Sequence, residues 1–403
     1  MRIALVLMQY KPFGGYERQA RVLAETLLGK GHELTIISSR WSGDEHSGFH
    51  FYKIPLLRGA SWLKVASYAL STRWIVPRIA HRFDRIIAFD RSLGMDIYWA
   101  NSACHRAWLH LRRQHQGFKD RFSIAINPLH PIINRIEKAI FQRMEHQKGT
   151  IVVLSRQGIE QIRSHYPVAP QRFQVIPPVV DFSRFQGQCS PEFRRTQRAS
   201  LGLGERDRLL LHVGSGFRIK GVERMIRALP FLSETAGQIR LIVVGADKRG
   251  IRRGQALANQ LNLQQRVVFV GGVEDVGGYY AAADVLLLLS LLETFGAVAM
   301  EAFWFGLPVI LGAGVGAAEH VVGEHMGSIV APETGPEKLA EVIMATLERE
   351  QKAHETGKLV DWQHQRRQVA MHCHPDQVMG RYLELILNDH DKPCLANHQP
   401  SAF

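Results

Sequence analysis

Residues 284–311, DVLLLLSLLETFGAVAMEAFWFGLPVIL, limit what this chain can fold into more than any other stretch. The apolar run 285–289 has the length and composition of a strand covered on both faces of a parallel sheet. The turn 291–296 leads into a helix expected over about 297–305, closed by Gly306 with Pro308 beyond. A further strand is expected at 309–311. Strand, polar turn and helix start commit the chain to parallel α/β architecture. They also make an anion seat, because first-turn N–H groups lack helical partners and the helix dipole favours negative charge.

Two carboxylates here are not explained by packing: Glu293 in the turn and Glu301 inside an otherwise apolar helix. On one ideal helix they would lie about 12 Å apart along the axis and about 80° around it. That is too far for a general acid/base pair. It suits opposite ends of an elongated ligand, with a diphosphate over the helix start between them. Carboxylates accept hydrogen bonds, and sugar and ribose hydroxyls donate them. The competing reading is structural, with Glu293 in a solvated turn and Glu301 reaching water at a helix edge.

The same unit recurs along the chain. Residues 2–8 read as a strand, followed by Gly14-Gly15, an amphipathic helix through Ala20, Leu23, Ala24, Leu27 and Leu28, and a strand at 34–37. The dinucleotide fingerprint G-x-G-x-x-G is absent, but Gly14-Gly15 allows close backbone approach to a ligand or a second domain. Strands are expected at 49–55, 85–89, 96–100 and 151–154, and helices at 61–76 and 134–147. Pro177-Pro178 after a strand forms a stiff connector. Beyond it, strands at 209–213, 240–244 and 267–270 each end in glycine, at the sheet edge where open α/β sheets bind ligands. Arg218 and Lys220 lie in the first of these loops, at the same edge as Glu293, and suit a diphosphate. Gly271 marks the third. Helices follow at 337–347 and 376–387.

At 403 residues the chain exceeds one ordinary core. The expected division is 1–178, 179–375, and a last helix from 376 returning to the first domain, followed by a flexible tail to 403. A net charge of +13 calls for an anionic partner. Nucleic acid ranks last, since no zinc-finger, RNP or helix-turn-helix signature occurs. The most basic stretch, 104–122, interleaves Arg106, Arg112, Arg113, Lys119 and Arg121 with Trp108 and other apolar residues. That is the composition of a segment lying on an anionic lipid surface, or of a solvated helix. No apolar run reaches the ~20 residues of a membrane-spanning helix, and the N-terminus reads as a strand, not a signal peptide. Cys104, Cys189, Cys373 and Cys394 have no metal-type spacing, which points to a reducing, cytosolic setting. No metal is expected: Asp389-His390-Asp391 lies in the tail, and His372-Cys373-His374 is too tightly spaced for tetrahedral zinc.

Gly14-Gly15, Lys220-Gly221 and Glu293-x7-Glu301 together resemble the retaining GT-B glycosyltransferases of family 4, over nearly the whole chain. Residues 10–15, 173–178, 209–221 and 244–248 are similar to members of that family acting on the lipopolysaccharide core. The resemblance implies two doubly wound Rossmann-like domains facing across a cleft. It implies transfer of glucose from UDP-glucose to a heptose of the core, a phosphorylated glycolipid acceptor. The enzyme would need no cofactor or metal and would sit on the inner, cytoplasmic face of the membrane.

Carried over residue by residue, Glu293 would hold the transferred sugar and Glu301 the ribose. Lys220, Arg218 and backbone N–H groups around Thr294, Phe295, Gly296, Ala297 and Val298 would hold the diphosphate, with Gly271, Gly14 and Gly15 close by. Gln19, Ser102 and His105 would face the acceptor. The chain departs from the family pattern at Gln19 and near Ser102, where the family carries acidic residues. It departs also at Ile219, where the family's Arg falls and Arg218 stands one place earlier. A family-4 transferase using GDP-mannose and a lipid-linked glycan, an epimerase on the same plan, and a sugar-nucleotide-binding protein without turnover are the alternatives.

Overall fold

The structure, a computed structural model, describes residues 1–10, 15–42, 48–115, 124–233 and 237–388, with residues 15–17, 115 and 388 in backbone only. Gly14, Lys119, Arg121 and the 389–391 triplet lie outside the described residues. Two compact units divide the chain: Val180–His374, and the remainder up to Val179 with the returning segment from Pro375.

The first unit is built on a sheet in the order β3-β2-β1-β4-β5-β6-β7. Its strands are β1 Arg2–Leu7, β2 Glu33–Ser38, β3 His50–Lys53, β4 Arg85–Ala88, β5 Ile97–Ala100, β6 Thr150–Val153 and β7 Phe173–Val175. All of the pairings are parallel. Ile3 to Leu7 of β1 are almost wholly buried, as an apolar run without alternation requires. The helix Gly15–Gly29 follows β1, and the helix Pro375–Asn388 packs against it. Tyr382 of the latter meets Trp99 of β5 at 5.2 Å between ring centroids.

The second unit has the order β10-β9-β8-β11-β12-β13. These are β8 Arg208–Val213, β9 Ile239–Val244, β10 Val267–Gly271, β11 Val285–Leu288, β12 Val309–Gly312 and β13 Gly327–Val330, again parallel. Its core joins Leu210, Leu241, Val243, Val285 and Leu287 to the helices Val222–Ala228 and Pro336–Glu355. Burying each such side chain is worth ~1.5–3 kcal/mol. Strand order reverses between β8 and β11, so the loops after these two strands flank the switch point where open α/β sheets bind ligands.

Among the helices that carry no clear sequence signal are Arg156–Arg163, Lys248–Gln260, Gly277–Ala282 and Leu359–Ala370. In Lys248–Gln260 the apolar stripe is thinned by two glycines. Gly254 is there for room, since a Cβ would fall 2.3 Å from the Phe269 ring. The helix starts because the Asp247 side chain accepts from Gly250 N at 2.8 Å.

Candidate functional site

The loop after β8 is shaped by its glycines. Gly221 takes φ +76°, and a Cβ there would lie 2.7 Å from the Leu289 carbonyl, so the loop packs directly on the end of β11. Leu291 N donates to Ile219 O across the two loops at 3.2 Å. Asp247, after β9, ties in the third loop: its carboxylate accepts from Phe217 N at 3.0 Å. These backbone donors hold its carboxyl below the usual range, with Gly250 N contributing most.

Lys220 and Glu293 meet here. Lys220 Nζ donates to Glu293 Oε2 at 2.6 Å, with both side chains about a quarter exposed or less. The Glu293 backbone is pinned on both sides, its N–H to Gly314 O at 2.8 Å and its carbonyl to Gly316 N at 3.0 Å. Gly296 then turns with φ +89°, and a Cβ there would meet Leu288 and Val315 side chains at 2.9 Å. The helix Ala297–Trp304 starts at that glycine. Phe295 is buried with its carbonyl bonded to Ala317 N, whereas Thr294, Ala297 and Val298 are half-buried. Arg218 is exposed on the β8 loop, and Gly271 at the end of β10 accepts from Gly245 N at 2.7 Å.

Glu301 is neither solvated nor at a helix edge. It is 9% exposed, Oε1 accepts from Arg184 at 2.5 Å, and Oε2 accepts from the Tyr280 hydroxyl at 2.8 Å. Burial first, then the Glu301 charge, pushes the Tyr280 phenol well above its ordinary value. The Tyr280 ring stacks on Phe305, 5.4 Å between centroids. A carboxylate has about four lone-pair sites, so both oxygens can accept further. Sequence reasoning missed Arg184 and Tyr280, which stand 117 and 21 residues from Glu301. It took Asp247 only as part of a similar segment.

In the first unit, Gly15 opens the helix Gly15–Gly29. Gln19 is buried on that helix with Oε1 unbonded among the described residues, and Ser102 is exposed. His105 is buried. Its Nε2 lies 3.1 Å from His130 Nδ1, and its N–H is bonded at 3.1 Å to Glu137, a carboxylate that also holds Arg91 and Tyr166. Desolvation, followed by the nearby Arg91 charge, pushes the His105 imidazole down to about 4.

Of the basic stretch 104–122, residues 104–115 are described, and there Trp108 is packed rather than exposed. In the helix His105–His115, Leu109 is buried and Trp108 is half-buried, stacked on His105 at 5.3 Å and covered by Arg112 at 4.6 Å. The indole packs rather than projects. Arg106 leans over the Tyr166 ring, and Arg113 is exposed. Exposed aromatics lie instead on the helix Ser61–Ile79, where Trp62 is 40% and Trp74 59% exposed, with Leu70 also exposed. No Asp or Glu occurs in residues 46–83, whereas Arg58, Lys64, Arg73 and Arg78 do.

No group of three metal-ligating side chains occurs among the described residues. Two family profiles match the chain: Glycosyltransferase Family 4 over residues 13–184, and Glycosyl transferases group 1 over 193–359. The lipopolysaccharide glucosyltransferase WaaG of Escherichia coli K12 is 32% identical over 349 residues, 86% of this chain and 90% of that protein. A crystal structure of WaaG, a glycosyltransferase involved in lipopolysaccharide biosynthesis, superposes with a TM-score of 0.74 at 29% identity, covering 96% and 99% of the two chains. Anabaena HepE in complex with UDP-glucose superposes with a TM-score of 0.67 at 17% identity, covering 96% and 100%.

Proposed function

The chain belongs to the family-4 glycosyltransferases of the GT-B fold, and we propose that it transfers glucose from UDP-glucose, with retention, to a heptose of the lipopolysaccharide core. The observation that carries this reading is the convergence of Lys220, Glu293 and a helix start at the β8/β11 switch point, with Glu301 fixed further along the same helix. The name of the E. coli relative, a lipopolysaccharide glucosyltransferase, supports glucose as the sugar moved and lipopolysaccharide as what receives it.

In this reading the Glu301 carboxylate takes the ribose hydroxyls and Glu293 the hydroxyls of the transferred sugar. Lys220 exchanges its carboxylate partner for the diphosphate, helped by Arg218 and the N–H groups of residues 295–298, near Gly271. Gly14 and Gly15 complete the proposed donor-binding residues. The C1–O bond to phosphate breaks while the acceptor oxygen bonds C1 on the same face. The acceptor proton passes to the departing phosphate oxygen, so no protein base is needed. Lys220 and the helix dipole balance the leaving charge without a metal. Gln19, Ser102 and His105 lie on the acceptor side.

The acceptor is a phosphorylated glycolipid at an anionic membrane surface, which the enzyme meets as a peripheral protein from the cytoplasm. No helix among the described residues is long and apolar enough to cross a membrane. The exposed Trp62 and Trp74, set in an acid-free basic stretch, suit a lipid interface.

The test is an assay of UDP-glucose with heptose-terminated core lipopolysaccharide in EDTA, the product linkage read by NMR. An α-linked glucose is expected. Turnover only with another nucleotide sugar, or only on restoring a divalent ion, contradicts the reading.

A further inference from the structure

The second unit holds a cavity of about 810 Å³ that the transfer reaction does not use. It lies at the N-terminal edge of the sheet, where Asp284 precedes β11, Pro308 precedes β12 and Arg208 opens β8. That is the edge opposite the loops bearing Lys220 and Glu293.

Its charges do not cancel. Asp284 is bound by Arg194 at 2.7 Å and Arg198 at 3.2 Å, and Glu350 by Arg366 at 2.9 Å. Three arginines on the wall remain, against one acid, Glu205. Arg208 donates to the Gln351 amide at 2.9 Å and Arg367 to the Trp304 carbonyl at 3.2 Å, both neutral acceptors. Arg206 is exposed. The wall itself carries four arginines against three acids, Glu205, Asp284 and Glu350, and Arg198 and Arg366 add positive charge behind it, so the surplus suits an anion such as a phosphate monoester, which carries about −1.5 to −2 at pH 7. The guanidinium fork fits phosphate oxygens pairwise. Phe305, Leu307 and Leu359 give the same cavity an apolar side.

We propose that this cavity is a second binding site, for a small phosphate ester with an apolar body, held by Arg206, Arg208 and Arg367. The site is independent of the donor seat and of the transfer reaction assigned above.

Cys189 supplies the test. It is exposed on the cavity wall that Arg367 also lines, and desolvation holds its thiol above the usual range. Alkylation of the full-length chain by iodoacetamide, read at Cys189 by peptide mass spectrometry, is followed with phenyl phosphate as probe. Protection is expected to slow labelling about tenfold at ten times Kd, where about a tenth of sites stay open. Matched sodium chloride and phosphatidylglycerol vesicles leave the rate unchanged. Protection is lost in Arg206→Ala/Arg367→Ala and kept in Lys220→Ala. If the double variant does not fold, Arg206→Glu, at an exposed position, carries the test. Absent protection, equal protection by salt, or protection by vesicles but not phenyl phosphate overturns the proposal. So does protection that depends on Lys220 instead of the cavity arginines.

Discussion

Lys220 Nζ and Glu293 Oε2 stand 2.6 Å apart on loops that leave adjacent strands, β8 and β11, where the strand order reverses. Each is the other's partner, so removing one leaves the other charge partly enclosed. The pair is partly exposed and worth only ~1 kcal/mol of stability. Its value is in positioning charge for the diphosphate and hydroxyls. Lys220→Ala is therefore expected to lower kcat/KM at least ~100-fold while melting within a few degrees of the wild type. Glu293→Gln should abolish transfer and spare UDP affinity, as measured by calorimetry. Wild-type turnover in either variant contradicts the assignment.

Glu301 is held from two sides by Arg184 and Tyr280, at 2.5 and 2.8 Å. Glu301→Ala strands both donors and should cost ~1–3 kcal/mol in stability as well as UDP affinity. Tyr280→Phe removes one bond and keeps the ring stack on Phe305, so UDP binding should weaken severalfold with little loss of stability. Calorimetric titration of UDP against thermal melts separates the two effects. Unchanged affinity in Tyr280→Phe would show that Glu301 needs no such bracing.

Two glycines of the β8 loop share a left-handed backbone and differ in room. Gly216 at φ +79° has open space around a Cβ, whereas Gly221 at φ +76° has the Leu289 carbonyl at 2.7 Å. Gly216→Ala is expected to cost ~1 kcal/mol from the backbone alone. Gly221→Ala adds displacement of β11 and with it Glu293, so urea unfolding and kcat should both fall further. Equal effects at the two positions would contradict this packing.

Acid should weaken the fold before it touches any carboxylate. Desolvation first, against the pull of the Leu287 carbonyl, holds the fully buried His212 down to about 4, and His105 likewise lies at about 4. In unfolded chain both titrate near 6.5. The native state therefore binds fewer protons: full stability is present above pH 6.5 and drains away as pH falls toward 4. Between pH 7.5 and 5.5 the two together should cost about 2–3 kcal/mol, read from urea unfolding. His212→Leu should flatten that fall by about half, and stability independent of pH in this range would contradict it.

The exposed indoles of the helix Ser61–Ile79 give a membrane prediction. Trp62→Ser/Trp74→Ser should lower binding to phosphatidylglycerol vesicles at least tenfold in sedimentation, while leaving turnover of a soluble acceptor fragment intact. Trp108→Phe, half-buried and covered by Arg112, should change binding little.

The parallel α/β class was legible because runs such as 285–289 are apolar without alternation, which only a strand covered on both faces explains. Lys220 and Glu293 were legible as occupants of one sheet edge because each follows an apolar strand at its C-terminal end. The bracing of Glu301 was not, since Arg184 lies 117 residues away and only the folded chain brings it there. The 248–260 helix escaped because Gly250 and Gly254 replace apolar stripe residues with room for neighbours. The packing of Trp108 between His105 and Arg112 was not legible, because composition cannot tell an indole stacked on imidazole and guanidinium from one standing free.

The most direct test is a crystal structure with UDP bound. The β-phosphate is expected within hydrogen-bond reach of the N–H groups at Ala297 and Val298, with Lys220 turned from Glu293 to the phosphate and the ribose on Glu301. A nucleotide seated elsewhere, or Lys220 still clasping Glu293 beside bound UDP, contradicts the proposed chemistry.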